Sequence, residues 1–544
     1  MNPKSSGMAT PGSAAARQGA AGRVVRNVLF IMCDQLRADA LSCYGAPGAV
    51  DTPNLDRLAG MGVRFDRAYV SSAVCGPSRA SYYTGRYPHS HRVTWNRVPH
   101  PIDELYLGDY LAENGRDCWL LGKTHHVSDR QGLERRGFMV GQDAATRFWE
   151  GGFKPLERYD GHFEMKPDSP YRAYLHEKGY AGERPWEQYV IGSVGSDGEF
   201  KSGWYLRNAG LPARVREEDS ETAYLTTRAM RFIDEQGELP WVLHLSYIKP
   251  HWPYKAPAPY HDMYKDDALA APVRTEAERS DAAHPVHAAY QRHEESESLA
   301  RDEVWRTVKP VYKGLVKQID DHIGRLLDHL EEAGRLADTL IVFCSDHGDL
   351  LGDHWLGEKE YFFEGAMRVP LIVYDPSARA DGSRGTVSRA LAECVDVTPT
   401  ILDALSIEIP DHRVEGRSLL PGIRGEGDVA RAYTVGSLDY AYREARQFLG
   451  RDVTECKGMM VYDGHYKAMF WQGYRPQLFN LRDDPHELTD LGQCQALAPV
   501  RRRLEEALMD WHDQLKGRAS ETTRQVIDRT NAHERMMNIL IGRW

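Results

Sequence analysis

Short runs of apolar residues recur along the chain, and polar residues follow each run. A run that is apolar at nearly every position is typical of a β-strand buried on both faces, as in the parallel sheets of α/β proteins. The pattern predicts four such strands, at 26–35 (RNVLFIMCDQ), 241–251 (WVLHLSYIKPH), 338–349 (DTLIVFCSDHGD) and 368–376 (RVPLIVYDP). The polar residues after each run are then expected at the carboxyl edge of the sheet, where ligands bind.

Amphipathic segments separate the apolar runs. Apolar residues three or four positions apart predict helices at 52–62, 104–115 and 311–334. Gly334 stands at the end of the last segment, where a glycine commonly terminates a helix. The alternation of strands and helices predicts an α/β fold.

Two changes in composition divide the chain. The segment 257–303 is polar and lacks a clear period, which predicts a long insertion near the mouth of the site or a mobile loop. After about residue 428, two alternating runs flank Asp463-Gly464, a typical hairpin turn, so a small domain with an antiparallel sheet is expected. The predicted division is a disordered tail at 1–23, an α/β domain at 24–427, a small α+β domain at 428–511 and a tail at 512–544. Because the last tail ends in the apolar sequence ILIGRW, we expect it to dock on a neighbouring subunit of a homodimer or homotetramer.

Charge and cysteine content restrict the class of protein. The 68 Lys+Arg and 79 Asp+Glu residues give a net charge of −11, which argues against nucleic-acid binding and requires a locally positive pocket for any anionic substrate. The eight cysteines form no CxxC pair, which argues against a zinc ribbon and a disulfide scaffold. Residues 1–23 lack the apolar core of a secretory signal, and no segment has the roughly 18 consecutive apolar residues of a membrane span, so a cytoplasmic protein is expected.

Polar residues at two strand ends suggest a metal site. Asp34-Gln35 follows the first run, and Asp346-His347-Gly348-Asp349 follows the third. Either group alone is compatible with an ordinary helix cap. Together they offer carboxylate, amide and imidazole ligands for one divalent cation.

The segment Cys75-Gly76-Pro77-Ser78-Arg79 is the most informative in the chain. An isolated cysteine is usually a small buried hydrophobic residue. Here it precedes Gly-Pro and then Ser and Arg, which predicts a sharp turn into a helix beginning near Pro77. A nucleophile at that point would face the positive end of a helix and an arginine, an arrangement that favours an anionic group.

The motif Cys-x-Pro-Ser-Arg followed by ASYYTGRYPHSH resembles the signature of the sulfatase family of the alkaline phosphatase superfamily. The resemblance implies a large, mixed, mostly parallel sheet flanked by helices, with a smaller C-terminal domain. It also implies that a separate formylglycine-generating enzyme converts Cys75 into formylglycine. The hydrated aldehyde then attacks the sulfur or phosphorus of a small anionic ester, and its second hydroxyl allows the aldehyde to re-form.

The resemblance also implies roles for individual residues. Cys75 becomes both nucleophile and metal ligand, and Arg79 holds the hydrated aldehyde. The matching positions are Asp34, Gln35, Asp346 and His347 for the metal, Lys123 and His125 for a Lys-x-His pair, and Asn96, His251 and Lys359 for the rest of the pocket. Taken singly, Lys123 and His125 are also compatible with solvated surface positions, His251 with packing on aromatic rings, and Lys359 with a surface ion pair.

Two features of the pattern leave the reaction and the metal open. Gln35 and His347 are similar to the phosphonate monoester hydrolase branch, whereas Lys123 and His125 are similar to arylsulfatases and choline sulfatases. We expect a sulfate ester hydrolase, with phosphonate monoester or phosphodiester hydrolysis as the alternative. The nitrogen ligand favours Mn²⁺ without excluding Ca²⁺. A hypothesis from another class is that Cys75 stays unmodified in a metal-binding or anion-binding module.

Overall fold

The structure is a computed structural model that describes residues 24–138, 149–161, 169–280, 283–427, 431–530 and 532. The predicted N-terminal tail and the terminal ILIGRW lie outside these residues. The strands are β1 Asn27–Asp34, β2 Val63–Tyr69, β3 Cys118–Gly122, β4 Lys154–Arg158, β5 Gly192–Val194, β6 Phe200–Ser202, β7 Val242–Pro250, β8 Thr339–Ser345, β9 Leu371–Tyr374, β10 Thr386–Glu393, β11 Thr434–Asp439, β12 Lys457–Tyr462, β13 Tyr466–Trp471 and β14 Gln477–Asn480.

Helices of very different lengths connect and cover these strands. They are α1 Pro53–Met61, α2 Cys75–Thr84, α3 Pro88–His91, α4 Leu107–Glu113, α5 Arg130–Arg135, α6 Pro170–Glu177, α7 Glu221–Gln236, α8 Pro285–Tyr290, α9 Glu294–Leu299, α10 Asp302–Glu332, α11 Glu364–Met367, α12 Val397–Ala404, α13 Leu420–Ile423, α14 Glu444–Phe448, α15 Ala498–Asp513 and α16 Thr523–Arg529. Within the described residues, no helix combines the length and the apolar character needed to cross a membrane.

Eight strands form the main sheet, in the order β10-β2-β9-β8-β1-β7-β3-β4. Most neighbours are parallel, but β9 is antiparallel to both β2 and β8. A second, four-stranded sheet of β11 to β14 is antiparallel throughout. The predicted α/β architecture with a small antiparallel sheet is therefore confirmed, while the exact domain boundaries stay a prediction.

Burial on both faces explains the apolar run of β1. Val28, Phe30 and Met32 pack into one hydrophobic core, and the alternate residues Leu29 and Ile31 pack into the other. All eight residues of β1 are buried. Because successive side chains of a strand point to opposite faces, a central strand covered on both sides requires apolar residues at nearly every position.

Helix α10 begins nine residues earlier than the sequence predicts, at Asp302 rather than 311, and it contains Pro310 in its interior. A proline removes one backbone hydrogen bond and usually ends a helix. Here the first turns pack Trp305 and Val308 into the core, and this packing keeps the helix continuous. At the other end, Gly334 adopts a positive φ of 68°, as expected of a residue that terminates a helix.

The polar segment 257–303 contains α8 and α9, so it is more regular than a loop. Three of its histidines are buried and bond to backbone groups elsewhere. His284 Nε2 lies 2.9 Å from the carbonyl oxygen of Arg475, His287 Nε2 lies 2.9 Å from that of His354, and His293 Nε2 accepts from the backbone N–H of Ala445 at 2.9 Å. Because these buried side chains are polar, hydrophobic periodicity does not indicate that the segment is buried.

Candidate active site

Four adjacent parallel strands bring distant residues to one edge of the sheet. Asp34 ends β1, Lys123 follows β3, His251 follows β7, and Asp346 and His347 follow β8. These strands are neighbours in the order β8-β1-β7-β3, and all four run in the same direction. The carboxyl edge of the sheet therefore gathers residues more than 300 positions apart, as the sequence predicts.

Helix α2 places Cys75 at the same edge. Cys75 is the first residue of this ten-residue helix, every residue of which is buried, and Cys75 itself is 1% exposed. Asn96 Oδ1 accepts a hydrogen bond from the backbone N–H of Gly76 at 2.8 Å. A side chain at Gly76 would approach Asn96 Oδ1 to 3.0 Å, so the glycine permits this close contact. Asn96 thus acts on the backbone that carries Cys75.

Asp34, Cys75, Asp346 and His347 form a buried cluster in which the candidate ligand atoms all lie within 4.8 Å of one another. Cys75 Sγ is 3.1 Å from His347 Nε2 and 3.9 Å from Asp34 Oδ1. His347 Nε2 is 3.6 Å from both Asp34 Oδ1 and Asp346 Oδ1. His347 Nδ1 lies 2.8 Å from the carbonyl oxygen of Gly348, which can only accept, so in the neutral ring the Nε2 lone pair faces the cluster.

This donor set suits a divalent cation. Ligands that lie about 2.1 to 2.4 Å from one ion are about 3 to 3.5 Å from each other, close to the separations above. Two carboxylates and one imidazole, fully buried together, also match the hard and borderline ligands that such cations take. The predicted divalent metal site is therefore supported by the geometry as well as by the residue types.

Gln35 borders the cluster with its side chain directed by other residues. Its Nε2 donates to Asp349 Oδ2 at 2.7 Å, and its Oε1 accepts from Lys359 Nζ at 3.1 Å. The backbone N–H of Gln35 donates to Asp346 Oδ1 at 3.1 Å, with Gln35 in the left-handed region at a φ of 68°. Tyr254 also donates to Asp349 Oδ2, at 2.6 Å. Asp349 and Tyr254 thus orient the Gln35 amide, a function that sequence reasoning did not assign to them.

Arg79 and Lys123 balance the two buried carboxylates. Arg79 Nε donates to Asp346 Oδ2 at 2.7 Å, and Arg79 Nη2 approaches Asp34 Oδ2 at 3.3 Å. Arg79 Nη1 also donates to Ser246 Oγ and to the carbonyl oxygen of Lys123, each at 2.8 Å. Lys123 is fully buried and forms an ion pair with Asp34, which removes the solvated-surface interpretation of this lysine.

His251 and Lys359 form a hydrogen-bonded pair beside the cluster. Lys359 Nζ lies 3.1 Å from His251 Nε2, while His251 Nδ1 lies 2.6 Å from the carbonyl oxygen of Trp252. The carbonyl can only accept, so Nδ1 carries the proton and Nε2 accepts from the lysine ammonium. Burial and the nearby Lys359 lower the pKa of His251 to about 3, which keeps its ring neutral. The Lys359 side chain is buried, although Glu358 Oε2 lies 3.8 Å from its ammonium.

The cations around Cys75 favour an anion at its position. Burial raises the pKa of the Cys75 thiol, but Lys359, Lys123 and His347 together lower it well below the ordinary value, and a hydrogen bond from His125 adds to this effect. His125 itself is held by its backbone, because its N–H donates to Asp160 Oδ1 at 3.1 Å. A locally positive pocket therefore exists inside an acidic protein, as an anionic substrate requires.

A second cluster of metal-type side chains, His293, Glu295 and Glu360, contains an arginine. Arg443 Nε bonds to Glu360 Oε2 at 2.6 Å, Arg443 Nη2 lies 3.0 Å from His293 Nδ1, and the same guanidinium pairs with Glu295. We call these four residues the Arg443 cluster. Because the arginine pairs with both carboxylates, this cluster is an ion-pair network that fixes Glu360, the neighbour of Lys359.

Comparison with known proteins agrees with this geometry. The sulfatase family model matches residues 26–407, and the model of the N-sulphoglucosamine sulphohydrolase C-terminal region matches 352–514. The chain is 32% identical over 514 residues to the multifunctional alkaline phosphatase superfamily protein PehA of Trinickia caryophylli, covering 89% of this chain and 95% of that protein. It is 28% identical over 489 residues to an arylsulfatase of Clostridium perfringens, covering 86% and 90%.

A solved structure extends the similarity to the fold. The phosphonate monoester hydrolase SpPMH from Silicibacter pomeroyi matches with a TM-score of 0.80 and 30% sequence identity, covering 92% of this chain and 99% of that chain. The residues matched by the sulfatase family model, 26–407, include the main sheet and the site residues from Asp34 to Lys359. The protein is thus a hydrolase with an alkaline phosphatase-like fold. It belongs to the sulfatase family, so the predictions of family, fold and enzyme class are confirmed.

Proposed function

We propose that this protein hydrolyses sulfate esters with Cys75, converted to formylglycine, as its nucleophilic residue and one divalent cation beside it. The observation that carries the proposal is the position of Cys75, buried at the start of α2 among Asp34, Asp346 and His347, where Lys359 and Lys123 stabilise negative charge. The family supports the modification and the metal.

Asp34, Asp346, His347 and the modified Cys75 would hold the cation, with the Gln35 amide oxygen as a further candidate ligand. A bound divalent cation supplies a positive charge that favours the ionised form of a neighbouring hydroxyl at neutral pH. Arg79 contacts Oδ2 of both carboxylates, so that their Oδ1 atoms face the same point, each 3.6 Å from His347 Nε2. We propose Mn²⁺ over Ca²⁺, because an imidazole nitrogen stands among the ligands.

The remaining residues serve the leaving group and the proton balance. Lys359 holds a proton between His251 and Gln35, and its ammonium stabilises the charge that grows on the leaving oxygen as the ester bond breaks. His251 accepts from Lys359 and so directs the ammonium. His125, which helps to lower the pKa of the Cys75 thiol, is placed to remove a proton from the modified side chain when the product anion leaves.

Sulfate and phosphonate monoesters both carry about one negative charge at pH 7, whereas a phosphate monoester approaches two, since its second pKa is near 6. One pocket can therefore serve both singly charged esters. We favour sulfate esters because Lys123 and His125, the pair that is similar to arylsulfatases, are buried beside Asp34 and Cys75 rather than solvated. Phosphonate monoester or phosphodiester hydrolysis is the second candidate, favoured by Gln35 and His347 and by the similarity to SpPMH.

Two measurements test the proposal. Conversion of Cys75 to formylglycine lowers the mass of the tryptic peptide 68–79 by about 18 Da. In fully modified protein, kcat/KM for an aryl sulfate should exceed that for phenyl phenylphosphonate. The reverse ranking selects the phosphonate alternative. An unmodified peptide from the native host, together with full activity in Cys75→Ala, refutes the catalytic function of this residue and leaves a metal-binding or anion-binding module.

We also propose that the protein is cytoplasmic, is matured by a formylglycine-generating enzyme and assembles as a homodimer or homotetramer. The apolar sequence ILIGRW supports the assembly. Light scattering of the full chain and of a chain ending at Thr530 tests it. A smaller mass per particle, beyond the lost residues, is expected for the shorter chain, and a full chain that elutes as a monomer refutes the proposal.

A further inference from the structure

A cavity of about 590 Å³ lies beside the His251–Lys359 pair. Trp252, which follows His251, and Glu358, which precedes Lys359, both line it. Trp204, Tyr205 and Tyr254 form further parts of its wall. Two residues of the cavity wall are therefore the sequence neighbours of the two side chains assigned to the leaving oxygen. The volume of the cavity is within the usual range for small-molecule sites.

Aromatic rings lead from the outer part of this cavity towards His251. Trp204 is 45% exposed and Tyr205 is 56% exposed. The ring centroids of Trp204 and Trp252 are 5.8 Å apart, and those of Trp252 and His251 are 4.7 Å apart. Large aromatic side chains that stay exposed next to a buried reaction centre indicate a binding surface, and such rings favour offset or edge contacts with another ring.

The charges of the cavity favour a neutral occupant. Four glutamates line it, and three of them already face a cation. Glu295 pairs with Arg443, Glu303 lies 3.9 Å from Arg301, and Glu358 lies 3.8 Å from Lys359. The Arg207 guanidinium also lies 4.7 Å from the centroid of the Tyr205 ring. A quaternary ammonium group would find its aromatic and acidic partners largely occupied.

We propose that this cavity is the leaving-group subsite and that it selects an aromatic ring, held against Trp204 and Trp252. The inference rests on the proposed function, because the ester oxygen must lie at the His251–Lys359 pair. With the oxygen there, the rest of the alcohol extends past Trp252 into the cavity. Trp204 and Tyr205 are then specificity-determining residues that do not touch the reacting atoms.

The test compares substrates within each variant. Phenyl sulfate, 2,2,2-trifluoroethyl sulfate and choline sulfate are hydrolysed by the metal-loaded, fully modified enzyme and by Trp204→Ala and Tyr205→Ala. We expect each substitution to lower kcat/KM for phenyl sulfate about 3- to 10-fold more than for trifluoroethyl sulfate, the range of one lost aromatic contact. The matched control is Phe200→Ala, an exposed aromatic residue on the neighbouring strand β6 that does not line the cavity. It should leave the ratio unchanged.

The outcomes separate the two proposals. The subsite is refuted, while sulfatase activity stands, if both variants lower kcat/KM equally for all three substrates. It is also refuted if Phe200→Ala changes the ratio of kcat/KM between phenyl sulfate and trifluoroethyl sulfate as much as they do. If the variants lower kcat/KM most for choline sulfate, the cavity binds a cation and the proposed preference for an aromatic ring is wrong. If the wild type hydrolyses none of the sulfates, the proposed function itself fails. Thermal melting of each variant confirms that a lost ratio does not come from unfolding.

Discussion

Substituting Arg443 by Gln should impair the enzyme through Lys359, which Arg443 does not touch. The guanidinium bonds to Glu360 and Glu295 and approaches His293 Nδ1 at 3.0 Å. Glu358 and Glu360, on either side of Lys359, both have a positive φ, of 57° and 76°. This backbone conformation is unfavourable for residues with side chains, so contacts such as those of Arg443 are needed to maintain it.

The size of the effect follows from the burial of the partners. Removing one member of a buried ion pair costs about 3 to 5 kcal/mol, and exposure reduces that cost. Since the Arg443 side chain is 27% exposed and the Glu360 side chain is buried, we expect the free energy of unfolding to fall by about 2 to 3 kcal/mol. Burial already raises the pKa of Glu360, and Arg443 opposes this. In Arg443→Gln that pKa should rise further, so Glu360 gains a proton at a higher pH.

The assay is a double-mutant cycle on kcat/KM with Lys359→Met. We expect Arg443→Gln to lower kcat/KM about 10-fold, a fraction of the roughly 100- to 1,000-fold loss typical for removal of a charge-stabilising group. In the Lys359→Met background the same substitution should have little further effect. Arg443→Lys should restore part of the activity, because one ammonium can still pair with one carboxylate. Arg503→Gln, which removes an exposed ion pair with Asp463, is the control.

Independent, multiplicative effects of Arg443→Gln and Lys359→Met would refute this reasoning. So would an Arg443→Gln enzyme that is destabilised as expected but keeps the wild-type kcat/KM. In either case the Arg443 cluster would stabilise the fold without positioning Lys359.

Three further predictions concern charge, pH and metal. Lys123→Met and Lys359→Met should each reduce kcat/KM for anionic esters by at least about 100-fold, whereas Lys154→Met, which removes an exposed ion pair, should change it less than twofold; equal effects would mean that the site is misplaced. Burial lowers the pKa of Lys255 from 10.5 to about 7, so the unfolded chain binds more protons between these values and the wild type should become more stable with rising pH across that window. Urea unfolding at pH 7 and pH 9.5 should show this gain in the free energy of unfolding for the wild type but not for Lys255→Met. The same change with pH in both proteins would contradict the lowered pKa of Lys255. Chelation should abolish activity and lower Tm, and re-addition of Mn²⁺ at 100 times its Kd should raise the free energy of unfolding by about 2.7 kcal/mol. A Tm that changes with neither chelator nor Mn²⁺ nor Ca²⁺ would count against the cation site.

Four of the eight strands of the main sheet could be predicted from the sequence, but their directions could not. β1, β7 and β8 coincide closely with three predicted apolar runs. The fourth run forms β9, which is antiparallel to both neighbours. A strand buried on both faces shows the same apolar pattern in either direction, so its orientation depends on connections that periodicity does not encode.

The candidate site was predictable as far as it follows short motifs. The residues carried over from the family lie at the carboxyl edge of the sheet, on the helix turn that carries Cys75, or on loops that contact them, as Asn96 and Lys359 do. The residues that orient them were missed, although Asp349 belongs to the polar group that ends the third apolar run and Tyr254 stands three residues after the second run. Asp160 and Arg443 belong to no such motif, and only the fold brings them close to His125 and Glu360.

The burial of helix α2 restricts the time at which Cys75 can be modified. Cys75 is 1% exposed, and the nine residues that follow it in the helix are all buried. The proposed conversion of Cys75 by a second enzyme requires access to residues on either side of it, and residues 69–74, which precede it, are buried as well. Under the proposed function, this conversion has to precede closure of the fold, either while the chain is being synthesised or before α2 packs. A molecule that folds without the modification would remain inactive until it unfolds. The active fraction of a preparation would therefore depend on the rate of modification relative to the rate of folding.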